Sequence, residues 1–196
     1  MPLVVDRTQG NSAFKEWAVS CAALGRGDQV LLLRKGGIHE QDSVFTLDHP
    51  AFFLYPTYEH QDPASVKPEA HGLLGEVQAS RPGLGEQVVK HWAKVEHAWA
   101  LAGMETVLRL ESEHIYSPES VRRRWEWQKD RPLWALALRV YALKEPRRFE
   151  VLESYTGCKS WIELEGIDSA GLECQAVLGD GEFNGSVERL KGILGN

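Results

Sequence analysis

Apolar residues along this chain fall into two rhythms. From Ser12, a residue type that caps helix N-termini, Phe14, Trp17, Ala18, Cys21 and Leu24 recur at helical spacing until Gly25 and Gly27, so the spacing predicts a helix over 13–24. Residues 29–34, 44–47 and 51–55 are compact runs of β type, the last two separated by Asp48-His49-Pro50. As a three-stranded meander their first and third strands would run the same way. Arg34-Lys35-Gly36-Gly37 and Pro56-Thr57-Tyr58-Glu59-His60-Gln61 would then leave the sheet at one edge. The Pro- and Gly-rich stretch 62–86 has room for a helical turn or two near 68–79. Alternation predicts a strand over 87–101, and 104–110 fits either strand or helix. Ser117-Pro118 opens a helix over 118–127, 133–143 is a strand bounded by Pro132 and Pro146, and Phe183, Val187, Leu190 and Leu194 stripe a helix over 181–194. Residues 1–11 read as a loosely held arm. No internal repeat interrupts the order. The pattern predicts an α+β fold: a small mixed, mostly antiparallel sheet or partly closed barrel with flanking helices.

The chain has 196 residues, 43% hydrophobic and 26% charged, which is the composition of one globular domain. No apolar run approaches the roughly 20 residues of a membrane span. Asp6 and Arg7 stand where a secretory apolar stretch would run, so a cytoplasmic location without membrane contact is expected. Three cysteines without a CxxC pair argue against a disulfide framework and a structural zinc site.

The net charge of −6 opposes non-specific adhesion to nucleic acid, but its distribution is uneven. Residues 122–148 hold nine basic against three acidic side chains, leaving −12 for the remainder. Within that stretch Arg122, Arg123 and Arg124, followed by Trp125, Trp127 and Trp134, interleave cations with stacking surfaces in a way that suits single-stranded nucleic acid. A solvated helix face, with Trp125 and Val121 as its buried stripe, reads the same residues equally well.

Two other stretches carry candidate chemistry. Arg34-Lys35-Gly36-Gly37 joins two cations to two glycines and fits an anion nest, or only a tight turn with charged flanks. It lacks the Walker pattern, and no dinucleotide fingerprint occurs elsewhere. In 56–61 the natural pair on one face of an extended chain is Tyr58 with His60, because adjacent residues such as Glu59 and His60 face opposite ways. The seven histidines form no metal-binding spacing, so neither metal nor cofactor is expected. Cys158 beside Lys159 reads more readily as a turn thiol than as a nucleophile.

Taken together, Phe14-Lys15-Glu16-Trp17, Leu31-Leu32-Leu33-Arg34-Lys35-Gly36-Gly37-Ile38 with Glu40, Phe53-Leu54-Tyr55-Pro56-Thr57-Tyr58-Glu59-His60-Gln61, His114-Ile115, and Gly157-Cys158 with Ser160-Trp161 resemble the bacterial family catalogued as domain of unknown function 1802. The likeness spans roughly residues 13–165 and, more loosely, the last helix. Members usually carry an Asn-Trp-Lys-like stretch where this chain has Glu126-Trp127-Gln128-Lys129. The order of elements is also similar to small barrels of the PUA and ASCH type, which bind RNA or modified bases, a few acting on nucleosides. That resemblance implies binding of RNA, a nucleotide or a modified base, and the two polar stretches at the sheet edge supply the expected pocket: Lys15, Arg34, Lys35, Gly36, Gly37, Thr57, Tyr58, His60 and Gln61. Arg34 and Lys35 would hold phosphate, Tyr58 would stack, and His60 with Gln61 would read a base edge. One rival is a hydrolase of a nucleoside or phosphate ester using Lys35, Glu40, Glu59 and His60 as general acid and base. The other is a protein-interaction module marked by exposed tryptophans.

Overall fold

The computed structural model describes residues 3–4, 10–35, 39–41, 44–46, 49–167 and 169–195. The elements follow in the order β1 (Leu3–Val4), β2 (Ser12–Trp17), α1 (Ala18–Arg26), β3 (Leu31–Arg34), β4 (His39–Gln41), β5 (Val44–Thr46), β6 (Ala51–Thr57), α2 (His71–Ala79), β7 (Glu86–Leu101), α3 (Met104–Arg109), α4 (Pro118–Glu126), β8 (Leu133–Glu150), β9 (Trp161–Glu163), β10 (Glu173–Ala176) and α5 (Asp180–Leu194). Among the described residues eight strands form one curled sheet in the order β1-β10-β8-β7-β6-β2-β9, with β3 also paired to β8. Among the described residues only β2 and β6 run parallel; the other pairs are antiparallel. The fold is α+β, a half-barrel with flanking helices. Among the described residues no helix is long and apolar enough to cross a membrane.

The first predicted helix is half strand. Residues Ser12–Trp17 lie between β6 and β9, and the helix begins only at Ala18. Both faces of β2 are covered: Phe14 packs with Leu31, Phe52 and Leu54, whereas Ala13 joins Phe53, Tyr55, Trp92 and Ile162 on the other side. A strand buried on both faces has no apolar/polar alternation, so Phe14 and Trp17 fall by accident into a helical spacing. Ser12 is accordingly no cap. The Gln61 side-chain carbonyl accepts from the Val19 backbone N–H at 3.1 Å and serves the N-terminus of α1 instead.

The meander is also corrected. β3 pairs with β8, β5 pairs with β4 in a separate two-stranded ribbon, and β6 lies between β2 and β7. Following the antiparallel steps from β3 through β8 and β7 to β6, the first and third of these strands run opposite ways. Near the N-terminus, Leu3–Val4 pairs with β10, so this part of the expected loose arm belongs to the sheet.

Pro146 does not end its strand. β8 runs through it to Glu150 because the ladder with β7 jumps there: Val89 faces Arg147, but His91 faces Ala142. Four residues of β8 oppose Lys90 alone, and a proline costs no ladder hydrogen bond within such a bulge. This bulge sets the geometry of the cavity described next.

Candidate functional site

The two polar stretches singled out in the sequence converge on a buried carboxylate. Glu16 is 2% exposed. Its Oε2 takes a hydrogen bond from Arg34 Nη1 at 2.9 Å, and its Oε1 takes one from the Trp17 backbone N–H and lies 3.8 Å from Arg124 Nη2. Thr57 Oγ1 donates to the Glu16 carbonyl at 3.1 Å. Arg34 also reaches the Ser160 hydroxyl at 3.0 Å and covers the Phe14 ring, while Arg124 lies over the rings of Trp17 and Tyr116. Cations stacked on ring faces and clamped to one carboxylate form a packed interior.

The remaining predicted site residues take separate places. Lys15 Nζ donates to the carbonyls of Tyr155 and Gly157, both at 2.8 Å, and burial holds its pKa below the usual lysine value. Lys35 is 8% exposed, with its ammonium over the Trp125 ring and donating to the Trp125 carbonyl. Gly36 and Gly37 lie outside the described residues, as does the side chain of Glu40. The expected pairing of Tyr58 with His60 is corrected, because His60 turns left-handed at φ 59° and interrupts the extended chain. His60 is exposed and Gln61 turns inward to α1, while Glu59 pairs with Arg81 at 3.0 Å. On α4, Arg122 and Arg123 are exposed, but Arg124 points inward. Beyond that helix, Trp127 is 56% exposed.

Tyr58 faces a different place, a cavity of about 620 Å³ between α1, α2, the loop after α2, and β6 to β8. Its floor is apolar, from Ala18, Cys21, Leu54, Val77 and Val88. Arg26, Arg81, Lys90 and Arg148 stand around it, and among the described residues the lining holds one carboxylate, Glu76. Arg81 covers the Tyr58 ring at 5.2 Å. Arg26, Arg81 and Arg148 pair with Glu76, Glu59 and Glu86, with every partner's side chain at least 48% exposed. Exposed pairs of this kind are worth about 0–1 kcal/mol, so a phosphate can displace them. Among the described residues Lys90 has no ion-pair partner.

The bulge explains why Lys90 and His91 both reach this cavity. Strict alternation would send His91 to the face of fully buried Val89, whereas the register shift between them re-aims the imidazole beside Lys90 and Val88. Burial, then the Lys90 charge, lowers the His91 pKa to about 4, so the ring is neutral near pH 7. A second hollow of about 440 Å³ beside β9 is lined by one lysine, Lys159, against Glu163 and Glu165, and does not favour an anion. Among the described residues no group of three or more His, Cys, Asp or Glu could hold a metal ion.

A family model for a domain of unknown function, DUF1802, matches residues 13–189. The chain belongs to the DUF1802 family. Two solved structures of ASCH from Zymomonas mobilis resemble this DUF1802 chain. A serine-to-alanine mutant is 12% identical over 95% of this chain and 99% of that one, with a TM-score of 0.46. The other structure is 14% identical over 79% and 87%, with a TM-score of 0.44. No curated protein matches the DUF1802 chain.

Sequence reasoning missed Glu16, Arg26, Arg81, Lys90 and His91. One signal was available: a proline inside a long strand, such as Pro146, marks a bulge, and bulges re-aim side chains.

Proposed function

We propose that this protein binds a phosphate-bearing ligand of the nucleotide or RNA class in the cavity between α1, α2 and the β7–β8 ribbon. One observation carries the reading: four cationic side chains and the Tyr58 ring surround an apolar hollow of about 620 Å³ in a chain whose net charge is −6. An acidic body with one basic concavity repels polyanions elsewhere and concentrates field lines at that mouth. The hollow falls within the range of small-molecule sites, roughly 300–1,000 Å³. Tyr58 supplies a stacking face and the guanidinium groups supply phosphate donors. This site keeps Tyr58 of the residues expected from the sequence; Arg34 and Thr57 instead support the floor of the fold around Glu16.

The test is calorimetric titration of nucleoside monophosphates and a short single-stranded RNA across a salt series. Affinity is expected to fall steeply with salt, and to vanish in an Arg81→Ala plus Arg148→Ala variant that still melts like wild type. Binding that ignores salt, or no binding of any phosphate-bearing probe, overturns the proposal.

A further inference from the structure

We infer that His91 sets the specificity of this cavity, by hydrogen-bonding the edge of an uncharged nitrogen heterocycle whose attached phosphate is held by Arg81, Lys90 and Arg148. The inference rests on the reading above and narrows it to ligands that carry both parts, a heterocycle and a phosphate. Three observations lead there. First, the bulge turns His91 into the cavity, and among the described residues its ring nitrogens make no hydrogen bond to the protein. A half-buried donor–acceptor pair left free in a concave site calls for a partner.

Second, the ring is held in place. A Cβ at Gly25 would stand 2.2 Å from His91 Cε1, 2.4 Å from Nε2 and 2.9 Å from Nδ1, so the imidazole lies directly against the backbone of α1. Only a residue without a side chain permits that approach. A recognition group fixed in this way loses little entropy on binding.

Third, the chemistry is divided. The cations are Arg26 and Arg81 from the helical side and Lys90 and Arg148 from the strands, while the imidazole next to Lys90 stays neutral near pH 7. A neutral imidazole offers one donor and one acceptor, the complement of a base edge, whereas a cation there would add only another phosphate donor. The apolar floor and the Tyr58 face accept a flat ring.

Adenosine 5′-monophosphate and ribose 5-phosphate, which share the phosphate and sugar but not the base, separate the two roles in calorimetric titration. In His91→Phe, which keeps a flat ring without hydrogen-bonding atoms, adenosine 5′-monophosphate is expected to weaken about tenfold, as for a lost hydrogen bond of about 1.4 kcal/mol, while ribose 5-phosphate is unchanged. His91→Asn, retaining a donor and an acceptor, should recover part of the loss. Gly25→Ala, whose methyl must displace the ring, should reproduce it, and this pair keeps the test open should the phenylalanine variant fold poorly. Unchanged binding of adenosine 5′-monophosphate in His91→Phe, or a parallel fall of both probes, overturns the role of His91 and leaves phosphate binding standing. If neither probe binds the wild-type protein, the nucleotide reading falls with it.

Discussion

The Glu16 centre and the cavity under Tyr58 are built from the same materials, guanidinium groups, aromatic faces and a carboxylate, yet they differ in what closes them. At Glu16, two arginines share one carboxylate on a side chain that is 1% exposed, and their flat faces rest on Phe14, Trp17 and Tyr116. In the cavity, three arginines pair with carboxylates that are themselves well exposed, and the space they surround is open. Motif density is therefore a poor guide to a binding site: the residues densest in polar chemistry are consumed by their neighbours, and the usable charges come from scattered positions. The sharpest way to break this contrast is Arg34→Ala. Removing one partner of a buried pair strands Glu16 and is expected to cost about 3–5 kcal/mol in urea denaturation. A loss below about 1 kcal/mol would place the Glu16 centre among ordinary surface pairs.

A second difference lies in the histidines. His114 is 5% exposed beside Tyr116, and among the described residues neither ring nitrogen has a hydrogen-bond partner. Burial, then the charges of Lys67 and Arg124, lowers its pKa to about 3, and His91 sits at about 4, against 6.5 for a free imidazole. Below pH 6.5 the unfolded chain takes up protons that the folded chain refuses, so stability falls as pH falls until about pH 4 for His91 and about pH 3 for His114. Each contributes a slope of up to about 1.4 kcal/mol per pH unit. Urea titrations from pH 7 to pH 5 measure it. His114→Phe should remove about half of the slope and leave stability at pH 7 unchanged or slightly higher, since two unpaired buried nitrogens disappear. An unaltered slope would mean that His114 reaches water in the folded state.

The strand 87–101 and the helices near 118 and 181 are legible from the sequence because each presents one apolar face and one polar face, or a clear cap such as Ser117, whose hydroxyl accepts from the Ser120 N–H; strand 133–143 is buried on both faces from Leu133 to Val140 and is legible instead as a near-continuous apolar run after Pro132. What hides β2 is that the same two-sided burial falls on six residues that include Lys15 and Glu16, too short and too polar a stretch to read as a continuous apolar run. β9 and β10 are hidden by brevity, with three and four residues. The sequence reading brought 34–37 and 56–61 together as the rim of an open pocket at one sheet edge, from a wrong strand direction; the curl of the sheet, not a shared edge, brings Arg34 to the buried Glu16, whose carbonyl Thr57 also meets. The cavity was illegible because it depends on a register shift. No local pattern states that Lys90 and His91 share a face, and only Pro146, more than fifty residues away, hints at it.

Gln61 belongs to the intermediate scale. It leaves the left-handed turn at His60, is 6% exposed, and spends its carbonyl on the Val19 N–H. Gln61→Ala should cost about 1 kcal/mol, the usual worth of a helix N-terminal partner. Helix content should barely change, because α1 is held mainly by Val19, Ala23 and Leu24 in the core. A loss of several kcal/mol in thermal or urea melts would show that Gln61 carries more than a cap.

The smallest stability effect, and the one that most sharpens the contrast, is at the cavity mouth. Arg81 has 56% of its side chain exposed and Arg148 64%, against 16% for Arg34. Arg81→Ala and Arg148→Ala should each change stability by no more than about 0.5 kcal/mol, because a solvated guanidinium loses little when its pair is removed. The same chemical change at Arg34 is expected to cost several times more. A site that binds anions must keep its cations unspent in the empty protein, so indifference of folding to Arg81 is itself a requirement of the binding reading. Should Arg81→Ala prove as costly as Arg34→Ala, the Arg81–Tyr58–Glu59 cluster would be part of the structural frame, and the cavity would have to find its phosphate donors in Arg26, Lys90 and Arg148.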